Sequence, residues 1–123
     1  MKNSEIGKIG ENRACEFLIK KGYEILERNY WRKFGEIDII ARAPDQTLIF
    51  IEVKTLLIKS GAQHKPEDNF TTHKFNKVKR VCEFFAASHD ELIDEERGWR
   101  VDLVAVEFFE EDEGCIIRHY ENL

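Results

Sequence analysis

The sequence predicts an α/β fold in which helices pack on a mixed sheet, with elements in the order αβββαββ. Three observations carry this. Apolar residues recur at helical spacing over residues 4–21 and 72–89. Runs rich in Ile, Val, Phe and Tyr, bounded by turn residues, occur at 23–34, 35–42, 48–54 and 115–120. Residues 99–108 are almost continuously apolar, the pattern of a strand inside a sheet.

In the first helix Ile6, Ile9, Ala14, Phe17 and Leu18 form the apolar stripe, Ser4 is a candidate N-cap and Gly22 supplies the stop. Glu11 lies three, four and seven residues before Ala14, Cys15 and Leu18, on the border of that stripe. Periodicity alone lets it face the sheet or pair outside with a neighbour such as Lys8. The first strand enters a turn at Lys33-Phe34-Gly35. Near its end, Tyr30 and Trp31 are expected to cover the sheet, with stacking on bases as the alternative. Arg28, Arg32 and Lys33 are candidate phosphate contacts at this edge. Residues 55–73 have little periodicity and read as a loop over the active face. In the second helix Phe75, Val78, Cys82, Phe85 and Ala86 form the stripe, and Lys74, Lys77, Lys79 and Arg80 lie off it. An acidic connector, residues 90–98, leads to the fourth strand, and residues 115–120 form a short edge strand.

The middle of the chain carries a conflict between composition and environment. Gly35-Glu36-Ile37-Asp38-Ile39-Ile40-Ala41-Arg42 and Leu48-Ile49-Phe50-Ile51-Glu52-Val53-Lys54 read as a hairpin around Pro44-Asp45-Gln46-Thr47, yet they hold three acids and a lysine. Charged groups are seldom buried unless paired or bound to a metal. A loop of three or five residues centred on Asp45 sets Asp38 opposite Glu52, with Cβ atoms about 5 Å apart. An even-numbered loop pairs Asp38 with Val53 and disperses the acids. The odd loop is the reading adopted. Facing carboxylates with a lysine two residues on suit Mg²⁺ and a scissile phosphate, since Mg²⁺ takes one or two carboxylates and fills its other positions with water and phosphate oxygen. The plainer alternative is a salt bridge from Lys54 to Glu52 or Asp38.

Composition bounds the rest. At 123 residues, 42% apolar and 35% charged, the chain is expected to form one domain spanning 1–123. No apolar run approaches the roughly eighteen residues of a membrane span and the start lacks a signal-peptide stretch, so the expected location is the cytoplasm. Cys15, Cys82 and Cys115 are odd in number and far apart, which argues for reduced thiols. The net charge of −5 is unevenly spread: residues 54–82 carry seven basic and two acidic side chains, and residues 83–123 carry three and thirteen. A local excess of positive charge beside the acids is what a phosphate-tracking surface needs.

The order Asp38, thirteen residues, then Glu52-Val53-Lys54 resembles the D…(D/E)xK signature of the PD-(D/E)xK nucleases, with Ile37 at the place of the named proline. Together with Gly10-Glu11-Asn12-Arg13-Ala14, Arg28-Asn29, Lys74 and Arg100-Val101-Asp102, it is similar to the YraN-like family, which itself resembles archaeal Holliday-junction resolvases. The resemblance implies a three-layer restriction-endonuclease-like sandwich and a metal-dependent endonuclease acting on branched or structured DNA. It implies catalytic roles for Glu11, Asp38, Glu52 and Lys54, with Glu11, Asp38 and Glu52, helped by the Val53 carbonyl, holding Mg²⁺ or Mn²⁺. Lys74 is the implied phosphate contact, with Lys77 and Lys59 as further candidates. Glu36 and Asp102 are lower-ranked helpers, Asp102 being expected chiefly to fix Arg100 or a helix end. A homodimer is implied by the symmetric cutting of resolvases. One departure is Leu56, where the related family carries an arginine. It leaves open the alternative of a binding module for nucleic acid or protein that keeps the fold without cleavage.

Overall fold

The computed structural model describes residues 3–58, 71–110 and 114–123. Among these residues the elements are α1 (Asn3–Lys20), β1 (Glu24–Arg32), β2 (Gly35–Arg42), β3 (Leu48–Ile58), α2 (Thr72–Ser88), β4 (Trp99–Phe109) and β5 (Cys115–Tyr120), with a 3₁₀ turn at Asp90–Leu92. α1 begins at Asn3, so Ser4 lies inside its first turn instead of capping it. The helix ends as expected at Gly22, whose φ of 90° is open to glycine at no steric cost. There the Tyr23 N–H donates to the Leu18 carbonyl and the Gly22 N–H to that of Ile19, both at 3.0 Å, closing a Schellman motif. α2 is capped by Thr71, whose hydroxyl accepts from the Lys74 N–H at 3.3 Å.

The five strands form one sheet in the order β1-β2-β3-β4-β5. All neighbours are antiparallel except β3 and β4, which run parallel and are joined through α2. β4 is buried from Val101 to Glu107, as its apolar run requires, and β5 is the edge. Residues 55–58, expected in a loop, instead extend β3 because β4 supplies partners as far as Phe109.

One layer of packing lies on each face. Ala14, Cys15 and Leu18 of α1 bury against Ile39, Ile49, Ile51, Val104 and Val106. Val78, Val81, Cys82 and Phe85 of α2 bury against Ile37, Ile40, Phe50 and Val101 on the other face. The result is a three-layer α/β/α arrangement around a mixed sheet. Gly10 sets how closely α1 approaches: a Cβ there would lie 2.0 Å from Thr55 Oγ1 on β3. Cys15 and Cys82 are buried and Cys115 half-buried, all free thiols. No helix among the described residues is long and apolar enough to cross a membrane.

The β1–β2 ribbon turns over partway along. Arg28 pairs with Ile39 and Tyr30 with Ile37, but Asn29 and Asp38 between them form no ladder pair, and Asn29 has a φ of 55°. Arg28 therefore reaches α1, while Tyr30, two residues on, packs against Phe85 of α2. Ordinary alternation would have put both on one face. Tyr30 thus covers the sheet as expected, whereas Trp31 stands in solvent, 62% exposed.

Candidate active site

The loop of residues 43–47 sets the register of the central hairpin. The Ala43 N–H donates to the Thr47 carbonyl at 2.9 Å, and Asp45 Oδ1 accepts from the Thr47 N–H at 3.0 Å. Pairing runs from Arg42↔Leu48 to Ile39↔Ile51, so its continuation places Asp38 across from Glu52. The ladder stops there, although β2 starts at Gly35 and β3 continues to Ile58. The strands diverge and Asp38 fills the fork, its Oδ2 accepting from the Val53 N–H at 2.8 Å in place of a ladder carbonyl.

The fork opens into a cleft of about 440 Å³ lined by Glu36, Asp38, Glu52, Lys54, Lys74 and Lys77, over apolar Val78 and Leu103. Gly35 lets α2 close on the ribbon here, since a Cβ would meet Val81 Cγ2 at 2.6 Å. Burial pushes the Asp38 carboxyl above the usual range; the Val53 hydrogen bond opposes this, and Glu11 and Glu36 add to it. Burial likewise raises Glu52, reinforced by Asp38, Glu36 and Glu11 and opposed by Lys54. The acids repel one another in a half-buried setting that favours a proton or a cation between them.

Six of the nine residues singled out from sequence thus share one cleft. Glu11 does not line it. Arg28 donates to Glu11 Oε1 from Nη2 at 3.0 Å and from Nε at 3.3 Å, and also reaches Asn12 Oδ1 at 2.8 Å. Glu11 therefore sits behind the fork on the α1 side, close enough for its charge to act on Asp38 and Glu52. Lys59 lies outside the described residues.

Asp102 is on the α1 face of the sheet, away from the cleft. It is fully buried and accepts from Arg100 Nε at 3.0 Å, His119 Nε2 at 2.7 Å and the Asn122 N–H at 2.9 Å. Fixing Arg100 is the structural role expected for it, and contact with the cleft acids is not observed. Ligand atoms of Asp102, His119 and Glu121 lie within 4.8 Å of one another, a spacing compatible with a metal. Protein cations already occupy this cluster, however. Arg100 Nη2 is 3.3 Å from Glu121 Oε1, and Lys21 Nζ is 2.7 Å from His119 Nδ1. An ammonium only donates, so Nδ1 accepts and Nε2 carries the hydrogen given to Asp102.

Sequence reasoning missed the Val53 amide, the Arg28 clamp and the ribbon's turnover. Only Arg28-Asn29 carried a trace of the last two, because Asn tolerates the left-handed region.

The cleft fits a hard divalent cation better than the Asp102 cluster does. Its donors are carboxylate oxygens, at least two of them are half-buried with like charge, and no guanidinium lies among the described residues that line it. Asp38 and Glu52 would hold such an ion, with Glu36 at the lip.

Residues 10–106 match the family model described as "Uncharacterised protein family UPF0102". A UPF0102 protein of Caldicellulosiruptor bescii is 42% identical over 106 residues, covering 86% of this chain and 85% of the relative. A UPF0102 protein of Alkaliphilus oremlandii is 38% identical over 120 residues, covering 98% and 97%. With the match running from Gly10 through the cleft acids to β4, the chain belongs to the UPF0102 family.

Proposed function

We propose that this protein is a metal-dependent endonuclease that hydrolyses phosphodiester bonds in branched or structured DNA, like the Holliday-junction resolvases its motifs resemble. The supporting observation is the placement of Asp38 and Glu52 across a strand fork, with Lys54, Lys74 and Lys77 around the same cleft. Hydrolysis adds water across one P–O ester bond, leaving a phosphate monoester and a hydroxyl. Asp38 and Glu52 would hold Mg²⁺, or Mn²⁺ in its place, and the ion would supply a more acidic water and charge to offset that of the phosphate. The Val53 N–H fixes the orientation of the Asp38 carboxylate. Lys54 orients the attacking water and stabilises negative charge gathering on the phosphorus oxygens. Lys74 and Lys77 hold flanking phosphates, and Glu11 acts from behind through its charge or a bridging water. A homodimer would present two such clefts to two strands.

The test incubates the protein with four-way junction, flap, single-stranded and linear duplex DNA, with Mg²⁺ or Mn²⁺, beside Asp38→Asn. Cutting of a structured substrate that disappears in the variant is the expected result; cutting that survives there points to contamination. A second reading, a binding module that keeps the fold without cleavage, draws on two features. Arg28 holds Glu11 out of the cleft, and Leu56 stands where the YraN-like family that the sequence resembles usually carries an arginine. Retention of junction DNA with a steep salt dependence, and no cutting of any substrate, would select it.

A further inference from the structure

The described residues include three exposed large aromatic side chains, Trp31, Phe34 and Phe84, at 62%, 36% and 44%. Trp31 and Phe34 belong to the end of the β1–β2 ribbon and Phe84 to the stretch of α2 beside it, with Trp31 on the ribbon face opposite Tyr30 and Arg32. Trp31 pairs with Glu36 across the ribbon, and opposed residues share a face, so Trp31 stands on the side of the ribbon that bears a cleft-lining acid. Phe34 and Phe84 meet edge to face at 5.5 Å. Arginines are interleaved with the two phenylalanines. The Arg32 guanidinium lies 4.2 Å from the Tyr30 ring centre and 5.6 Å from that of Phe84, and that of Arg80 lies 5.4 Å from Phe34. Along α2, Arg80 follows Lys77 by three residues, so basic side chains lead from the cleft to the aromatics.

We infer that the end of the ribbon binds unpaired nucleotides flanking the scissile phosphate, with one base stacking on Trp31 on the side that bears Glu36, the next reaching Phe34 at the tip, and the backbone following Lys77 and Arg80. The inference deepens the proposed nuclease reading and rests on it for placing nucleic acid in the cleft. Aromatic faces interleaved with cations are what a sequence-tolerant single-strand surface requires: every base has a π-face, and each phosphate needs a counter-charge. A second copy of the chain fits less well, because an isologous contact would bring the same arginines towards one another. The substrate class is thereby narrowed to nucleic acid with a single-stranded segment beside the cut, such as a flap, an overhang or an opened junction.

Binding is measured in EDTA, where cleavage plays no part, using a short labelled single strand and a blunt duplex of equal length. The single strand should bind more tightly and quench tryptophan emission. Trp31→Ala should weaken single-strand binding roughly five- to one-hundredfold, the range for loss of one stacked base. Trp31→Phe should restore most of the affinity while abolishing most of the quenching, since only Trp99 then remains. Unchanged single-strand affinity in Trp31→Ala, or quenching undiminished in Trp31→Phe, overturns the inference. So does a Trp31→Ala protein that changes only its sedimentation mass, which would make the patch a contact between copies. Binding that depends on Trp31 with no cleavage of any substrate would instead sink the enzyme reading and leave this one standing.

Discussion

Two groups of acids are withdrawn from water on opposite faces of the same sheet, and the fold treats them in opposite ways. Around Asp102 it supplies Arg100, His119 and the Asn122 amide. Burial works to raise that carboxyl, but these hydrogen bonds outweigh it and hold the group below its ordinary range. Around Asp38 it supplies one amide and then adds Glu52, Glu36 and Glu11, so burial and like charge both push upward. Desolvation is expensive at both places, and what differs is who supplies the counter-charge. At Asp102 the chain does so itself and gains a locked C-terminal strand. At Asp38 the chain supplies the Val53 amide and, beside Glu52, the charge of Lys54, and both carboxyls still stay raised, a shortfall that a bound cation would make good under the proposed function.

The comparison breaks most visibly if each acid is removed in turn. Asp38→Asn should cut cleavage on the order of a thousandfold or more and weaken divalent-cation binding in calorimetry. It should also raise the melting temperature of metal-free protein near pH 8, because it removes a carboxylate from a crowd of like charges. An asparagine variant that melts lower than wild type under those conditions would mean the cleft acids are not in conflict.

Asp102→Ala should do the reverse. It leaves Arg100 with only Glu121 and the Tyr23 hydroxyl and the His119 Nε2 hydrogen without its acceptor, for a loss of about 3 kcal/mol in denaturant unfolding. Cation affinity at the cleft should remain unchanged. If chelation or metal addition shifted this variant's behaviour relative to wild type, the cluster of Asp102, His119 and Glu121 would have to be reconsidered as a metal centre.

The hairpin register could be read from Asp45 and the odd-numbered loop, because strand alternation makes one side-chain placement imply all the rest. The stripes of α1 and α2 and the buried run of β4 were similarly legible, since local periodicity reports burial directly. What stayed hidden was long-range or lay where the local rule breaks. The left-handed Asn29 turns the ribbon over, so Arg28 and Tyr30, two apart, face different helices. Periodicity put Glu11 at the border of its stripe but could not show that Arg28 would hold it. For Asp102, composition offered only a charge in an apolar run; that its partners include His119 of β5 and Asn122 just beyond it depends on how β5 docks on β4.

Titration sharpens the contrast because the two acids have opposite signs. Asp38 and Glu52 have raised pKa values in the folded chain, so above the ordinary carboxylate range near 4 the folded state holds more protons than the unfolded one. Stability must then fall as pH rises, by on the order of 1–2 kcal/mol after allowing for the cleft's opening to solvent. Asp102 is lowered, so its contribution is present above that range and is lost as pH falls through it. Metal-free wild type should therefore be most stable in mildly acidic buffer. Mg²⁺ should recover the alkaline loss, and Glu52→Gln should flatten it. A wild-type profile that still rises from pH 5 to 8 in EDTA would contradict the raised values.

The smallest effects belong to the lysines that face the cleft. Lys74 and Lys77 are exposed on α2, so replacing either with Ala should change stability by no more than about 0.5 kcal/mol. If they hold phosphates, each substitution should weaken nucleic-acid binding almost equally for all sequences. It should also reduce the slope of log K against log salt by about 1. Lys79, exposed on the same helix and absent from the cleft lining, serves as the matched control: the same loss of charge there should leave the slope nearly unchanged. Equal slopes for all three variants would show that binding follows the net charge of α2. The cleft would then lose its claim to the phosphate backbone, whatever the acids beneath it do.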